Sequence, residues 1–200
     1  GLELELAQHP SIEFQAVDQT SDKIEIISGE NQNVVVNQSS QPLVIRILDT
    51  QARPIYNYAV TFELVSGDGA IDGKTELTAQ TDTDGLASVD FHTGRTAGVV
   101  SKIQARAADV NNSPVTFTVT SIADQPRGLT IVSGNNQQAR PHTELPQPLT
   151  VRVGDIYNNP IDNNPVQFTV NLGDCRIHNA RQTTVYSDED GNARVFTTTG

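Results

Sequence analysis

The chain has no tryptophan and no methionine, a single cysteine, and aromatic residues at only 5% of its 200 positions. Each shortage excludes something. With so few large side chains, the interior must be slim, built from Val, Ile, Leu and a few Phe. Such an interior does not suit a deep enzyme core, and the length allows one or two domains. The lone thiol, Cys175, cannot close an internal disulfide, so stability must come from packing. Pairing between chains is its other use, although a half-buried free thiol is the expectation. Even the longest apolar runs are short, such as Leu43-Val44-Ile45, far below the ~20 residues of a membrane-spanning helix. Positive charge is scarce: 13 Lys and Arg stand against 24 Asp and Glu, a formal charge of −11. An acidic surface repels phosphate and anionic lipid, so neither nucleic acid nor membrane insertion is expected.

Catalytic and metal-binding patterns are equally sparse. The four histidines, His9, His92, His142 and His178, have no ligand spacing, and no nucleophile elbow is present. Gly67-Asp68-Gly69 with Gly73 imitates a phosphate loop, but no helix follows to hold the phosphate. No enzyme activity is expected. No signal-peptide pattern opens the chain, which fits a mature product or an excised piece.

What the chain does have is repetition. Asp49 and Asp155 stand 106 residues apart (155 − 49). The same spacing links Gln41-Pro42-Leu43 with Gln147-Pro148-Leu149, and Val60-Thr61-Phe62 with Val166-Gln167-Phe168. It also links Gly67-Asp68 with Gly173-Asp174, and Asp82-Thr83-Asp84-Gly85 with Asp188-Glu189-Asp190-Gly191. Upstream, Ser28-Gly29 and Ser133-Gly134 are 105 apart, so one residue is inserted between. Within each copy the segments alternate. Leu43, Ile45 and Ile47 share one face; Val60, Phe62 and Leu64 share another; so do Ala87, Val89 and Phe91. Period-two alternation marks a half-buried strand, and Gly, Asn, Asp and Pro clusters punctuate it every ten residues or so. A unit of about 105 residues, all strands, has the size of one immunoglobulin-like sandwich.

Residues 2–17 resemble residues 103–119, with Ile12-Glu13-Phe14 lying on Val115-Thr116-Phe117. The expected fold is therefore all-β: tandem immunoglobulin-like β-sandwich modules, one complete and one lacking its closing strands, plus an N-terminal closing hairpin. The expected boundaries are 1–22 for the hairpin, 23–125 for the complete module and 126–200 for the incomplete one. The hairpin carries Leu2, Leu4, Leu6, Ile12 and Phe14 as apolar anchors with nothing of its own to cover.

The ordered signature Ser133-Gly134-Asn135-Asn136-Gln137, residues 147–153, Asp155 to Ile161, Val166 to Val170, Gly173-Asp174 and Asp188 to Ala193 resembles the group 1 bacterial immunoglobulin-like domain. That domain is the repeated extracellular unit of invasin- and intimin-like surface proteins. The resemblance covers essentially the whole chain. It implies a rod-like stalk at the bacterial cell surface and no catalytic residues. One departure stands out: Phe196 occupies the place of Asp90, an outward position, so it is either a contact surface or the sign of a register shift.

Asp82 with Asp84, and Asp188 with Asp190, are calcium candidates, since paired carboxylates beside a Gly turn suit a hard cation. The competing reading is a tight β-turn in which Asp caps backbone groups, and this is preferred, so no cofactor is expected. Asp22 or Asp124 could bind calcium at a module junction. Tyr56, Tyr58 and Tyr157 are expected to pack on the sandwich end more than to anchor a ligand. Three functions fit: a head-to-tail fibre subunit completed by strand exchange through residues 1–20; a stalk segment of a large adhesin; and, more weakly, a carbohydrate-binding module. The partners are then the chain itself as a homopolymer or its tandem neighbours, with a host or cell-surface receptor also conceivable.

Overall fold

The computed structural model describes residues 22–200. Among them every regular element is a strand. The first run comprises β1 (Lys23–Ser28), β2 (Gln32–Val35), β3 (Leu43–Leu48), β4 (Ala59–Ser66), β5 (Gly69–Ile71), β6 (Glu76–Gln80), β7 (Leu86–Val89), β8 (Phe91–Thr93), β9 (Val100–Arg106) and β10 (Val115–Ile122). The second comprises β11 (Gly128–Ser133), β12 (Leu149–Gly154), β13 (Pro165–Thr169), β14 (Arg176–Ile177), β15 (Gln182–Tyr186), β16 (Asn192–Val195) and β17 (Thr197–Thr198).

Two sheets form the first unit, in the orders β1-β3-β7 and β2-β10-β9-β4-β6, with β5-β8 as a short ribbon. All pairs are antiparallel except β2 with β10. The alternation read from sequence sets the inner faces. Leu43, Ile45 and Ile47 of β3 are fully buried, as are Val60 and Phe62 of β4 and Ile103 and Ala105 of β9. Phe62 and Phe117, on β4 and β10 of the same sheet with β9 between them, stack with ring centroids 6.4 Å apart. Burying each such side chain contributes about 1.5–3 kcal/mol, so this layer is the main source of stability. The segment read as one strand from Ala87 to Phe91 breaks at Asp90: β7 pairs with β3, whereas β8 pairs with β5. A strand that crosses between sheets must bend, and Asp90 sits at the bend.

The second unit repeats part of this plan. Its sheets are β11-β12-β16, β13-β15 and β14-β17, matching β1-β3-β7, β4-β6 and β5-β8. No described strand corresponds to β9 or β10. The segment matching β2, residues 137–140, forms no strand either. The reason is visible in the first unit, where β2 is held by its parallel pairing with β10. Without that partner the facing positions lie open. Ile24 in β1 is 2% exposed, and its counterpart Leu129 in β11 is 61% exposed. Only Val153, Val166 and Ala193 form a buried cluster in this unit, with Val151, Ile161, Phe168 and Val185 half-covered around it.

Candidate functional site

The repeated signature residues hold turns. Gln32 donates from Nε2 to the carbonyls of Gly29 and Gln41 and accepts from the Gln41 amide. Gln137 makes the same three bonds with Gly134 and Gln147. Asp82 Oδ1 accepts the amides of Asp84 and Leu86 at 2.9 Å, while the Gly85 amide donates to the Asp82 carbonyl. Asp188 Oδ1 accepts the amides of Asp190 and Asn192 in the same manner. These bonds, with Arg194 beside the carboxylate, hold Asp188 below the usual carboxylate range, the Asn192 amide contributing most. Gly85 and Gly191 close these turns at φ of 72° and 80°. A Cβ at Gly191 would meet the Val153 carbonyl at 2.5 Å. In each calcium candidate pair the first carboxylate, Asp82 or Asp188, therefore already caps backbone amides. Among the described residues no three His, Cys, Asp or Glu side chains gather as a ligand set.

Of the tyrosines, Tyr58 packs on the core and its hydroxyl donates to the Ala108 carbonyl. Tyr56 is exposed. Ser39 Oγ lies 3.3 Å from His92 Nδ1 on an exposed bridge between strands. Among the described residues no carboxylate orients that ring, as a nucleophile–base pair would require. The second copy has Glu144 and Thr198 at this bridge. Phe196 is exposed between buried Val195 and Thr197, just as Asp90 lies between Val89 and Phe91. The register has not shifted. Cys175 fills the position of Gly69, where a Cβ would strike the Phe91 ring at 2.5 Å. Thr197 replaces that Phe in the second copy, which removes the ring from this position. The anchors Leu2, Leu4, Leu6, Ile12 and Phe14, and the hairpin at 1–22, lie outside the described residues.

The densest polar constellation joins the two units, and sequence reading missed it. After β12 the chain turns through an Asp155 loop. Asp155 Oδ1 accepts the amides of Tyr157 and Asn159 at 2.8 and 2.9 Å. Asp49 does the same with Gln51 and Arg53 in the first unit. The copies then diverge at one position. Arg53 turns back onto Asp49 Oδ2 at 2.8 Å and stays exposed. Asn159 is buried, and its amide works across the junction. Nδ2 donates to Asp155 Oδ2 and to the Arg95 carbonyl, and Oδ1 accepts the Ala97 amide, all at 2.8–2.9 Å. Asp155 Oδ2 also accepts the Asp124 amide at 3.1 Å, and Arg95 lies over the Tyr157 ring, 5.5 Å from its centroid. Burial raises the Asp155 pKa, but the bonds from Asn159, Asp124 and Tyr157 outweigh it and hold the carboxyl below its ordinary value. The signal was available in sequence: Arg53 and Asn159 are a mismatch inside an otherwise matching loop.

The second feature is the open face. A cavity of about 220 Å³ lies before Phe168, lined by Ile131, Leu149, Val151 and the Ser133–Asn135 turn. In the first unit the equivalent ring, Phe62, stacks on Phe117 of β10.

Strand order, turn chemistry and a built joint define a protein of tandem immunoglobulin-like β-sandwich type. No family model matches the chain. Its sequence is 25% identical over 158 residues to the inverse autotransporter adhesin YeeJ of Escherichia coli K12, a likeness covering 78% of this chain and 6% of that protein. The chain therefore spans a small part of the length of that relative. Among solved structures, the Yersinia pseudotuberculosis adhesin InvE aligns with 90% of this chain and 51% of its own, at TM-score 0.44 and 16% identity. Invasin, an integrin-binding protein, aligns with the same share of this chain and 34% of its own, at TM-score 0.43 and 16% identity. The D0-D1 domain of intimin aligns at TM-score 0.38 and 16% identity, over 90% of this chain and 84% of its own.

Proposed function

We propose that the chain is a non-enzymatic repeat segment of an adhesin-type protein outside the bacterial cell, in which sandwiches are strung end to end as a spacer. The joint at Asp155 and Asn159 carries this reading. A passive linker leaves its polar groups to water. Here buried side chains bond across the junction, which fixes the direction in which the second unit leaves the first. The likeness to an adhesin many times longer supports the same reading. Protease shaving of intact cells that produce the chain should release fragments of both units; protection until lysis would overturn the location. Rotational averaging of the two units in solution, seen as independent tumbling by NMR relaxation, would overturn the spacer role.

A second reading is favoured by the uncovered side chains of β11 and by the free edge of β13. The chain would be a fibre subunit, with residues 1–20 of one copy adding strands to the 126–200 unit of the next. Backbone hydrogen bonds and alternating apolar anchors supply the affinity in strand addition, and a heterologous contact propagates into a filament. Mass photometry and negative-stain microscopy of the purified chain test this. A monomer at all concentrations would end the fibre reading.

A further inference from the structure

We infer that the first unit is a tension-bearing lock: when the chain is pulled along its length, β1 and β2 are dragged against β10 and held in shear. This rests on the spacer reading and deepens it, because a spacer carries whatever force its attachments exert.

Three observations carry it. The first is where the chain enters and leaves the unit. It enters at Asp22, beside the turn between β9 and β10. The Asn111 amide donates to the Asp22 carbonyl at 2.7 Å, and the Ile24 amide donates to the Asn111 carbonyl at 3.2 Å. It leaves after Ile122, at the far end of the eight-residue β10. At 3.3 Å per residue that strand alone spans about 26 Å, so entry and exit lie at opposite ends of the sandwich. Force through them runs along the strands, not across them.

The second is strand direction. Lys23, at the start of β1, bridges Asn111 in parallel, and β2 pairs Gln32 to Val35 in parallel with Val119 to Ile122. The separations are 88 (111 − 23) and 87 (119 − 32), so β1 and β2 are two pieces of one edge in nearly one register. Pulling Asp22 one way and Asp124 the other drags this edge toward the entry and β10 toward the exit. Between parallel strands that motion stretches every cross-strand bond together. Peeling from one end would break the same bonds in turn, each at a lower force. The bonds loaded at once are the two at Asn111, the β2–β10 ladder, and the Val36 amide to the Ile122 carbonyl at 2.9 Å. β1 bears the same load against β3 through five paired positions.

The third is what anchors the edge. Ile24 of β1, Val34 of β2 and the adjoining Val36 are buried. Slipping the edge by one residue and pairing it again would turn such side chains to the outer face, so the register resists creep.

The test is single-molecule pulling on the full chain with Cys175→Ser. One preparation carries handles at Asp22→Cys and Gln125→Cys, which load the edge in shear. Another carries them at Asp22→Cys and Ala108→Cys, both at the entry end, which peel it. Rupture force is expected to be several-fold higher for the first pair. Val34→Ala in β2 and Leu77→Ala in β6, the far edge of the same sheet, are then compared in the shear geometry. Both remove contacts with the core and should lower stability to denaturant, but only Val34→Ala should lower the shear force appreciably. Equal forces in the two geometries would overturn the lock, as would a shear force that falls as far for Leu77→Ala as for Val34→Ala. Either result leaves the spacer reading standing, because that reading rests on the joint. Both handle pairs lie on or beside the first unit, so the outcome does not depend on whether the two units tumble together.

Discussion

Replacing Asn159 by Ala tests the joint most sharply. The substitution deletes three hydrogen bonds, two of which cross between the units, to the Arg95 carbonyl and from the Ala97 amide. The third stabilises the Asp155 carboxylate. Each net contribution is about 1 kcal/mol, somewhat more for the charged acceptor. Part is regained, because an opened joint lets water reach the orphaned groups. The expected loss of coupling is roughly 2–3 kcal/mol, a 30- to 150-fold shift toward undocked units. The Asp155 frame itself should survive, since its bonds from the Tyr157 and Asn159 amides are backbone bonds. The local fold of the second unit then stays while its orientation is released. Pulsed electron spin resonance between labels at Lys102 and Arg194 reads this directly. One narrow distance distribution is expected for the parent and a broad one for Asn159→Ala. Equal widths would refute the claim that this amide sets the geometry.

Other outcomes follow from the same contacts. Asp155 has a folded pKa below its unfolded value near 3.9, so its stabilising effect is present above that pH and is lost as pH falls through the folded value. Acid titration of the parent should therefore show loosening of the joint below about pH 4, and Asp155→Asn should remove that step. Phe62→Ala should cost about 3–5 kcal/mol in denaturant unfolding, because the ring is fully buried against Phe117. Phe168→Ala, on a ring open to the cavity, should cost less than half as much in the unassembled chain. Chelator should leave the melting temperature unchanged, because Asp82 and Asp188 are engaged by backbone amides; a clear drop would restore the calcium reading.

Much of this architecture was legible beforehand because its cause is local. The strands around Leu43, Val60 and Val166 announce themselves by alternation, and a buried face allows one register only. The turns at Asp82 and Asp188 follow from Asx chemistry and a glycine at positive φ, so both the repeat and the turns were readable. In both copies the first Asp of the turn accepts two backbone amides. Less legible were features that need a partner strand or a neighbouring unit. The break at Asp90 depends on which sheet each half joins, and that is a property of the closed sandwich.

The sequence by itself determined the all-β class, the 106-residue repeat and the matching of residues 2–17 to residues 103–119. Those rest on side-chain period and spacing, which a linear chain displays. Tertiary structure alone decided that Asn159 is a buried bridge where Arg53 is an exposed ion pair. The two loops share one backbone frame, and only the second lies against the end of another sandwich. It also decided that Leu129 is uncovered where Ile24 is sealed. Both residues are apolar at the same place in the pattern; burial depends on whether an opposing sheet is there to meet them.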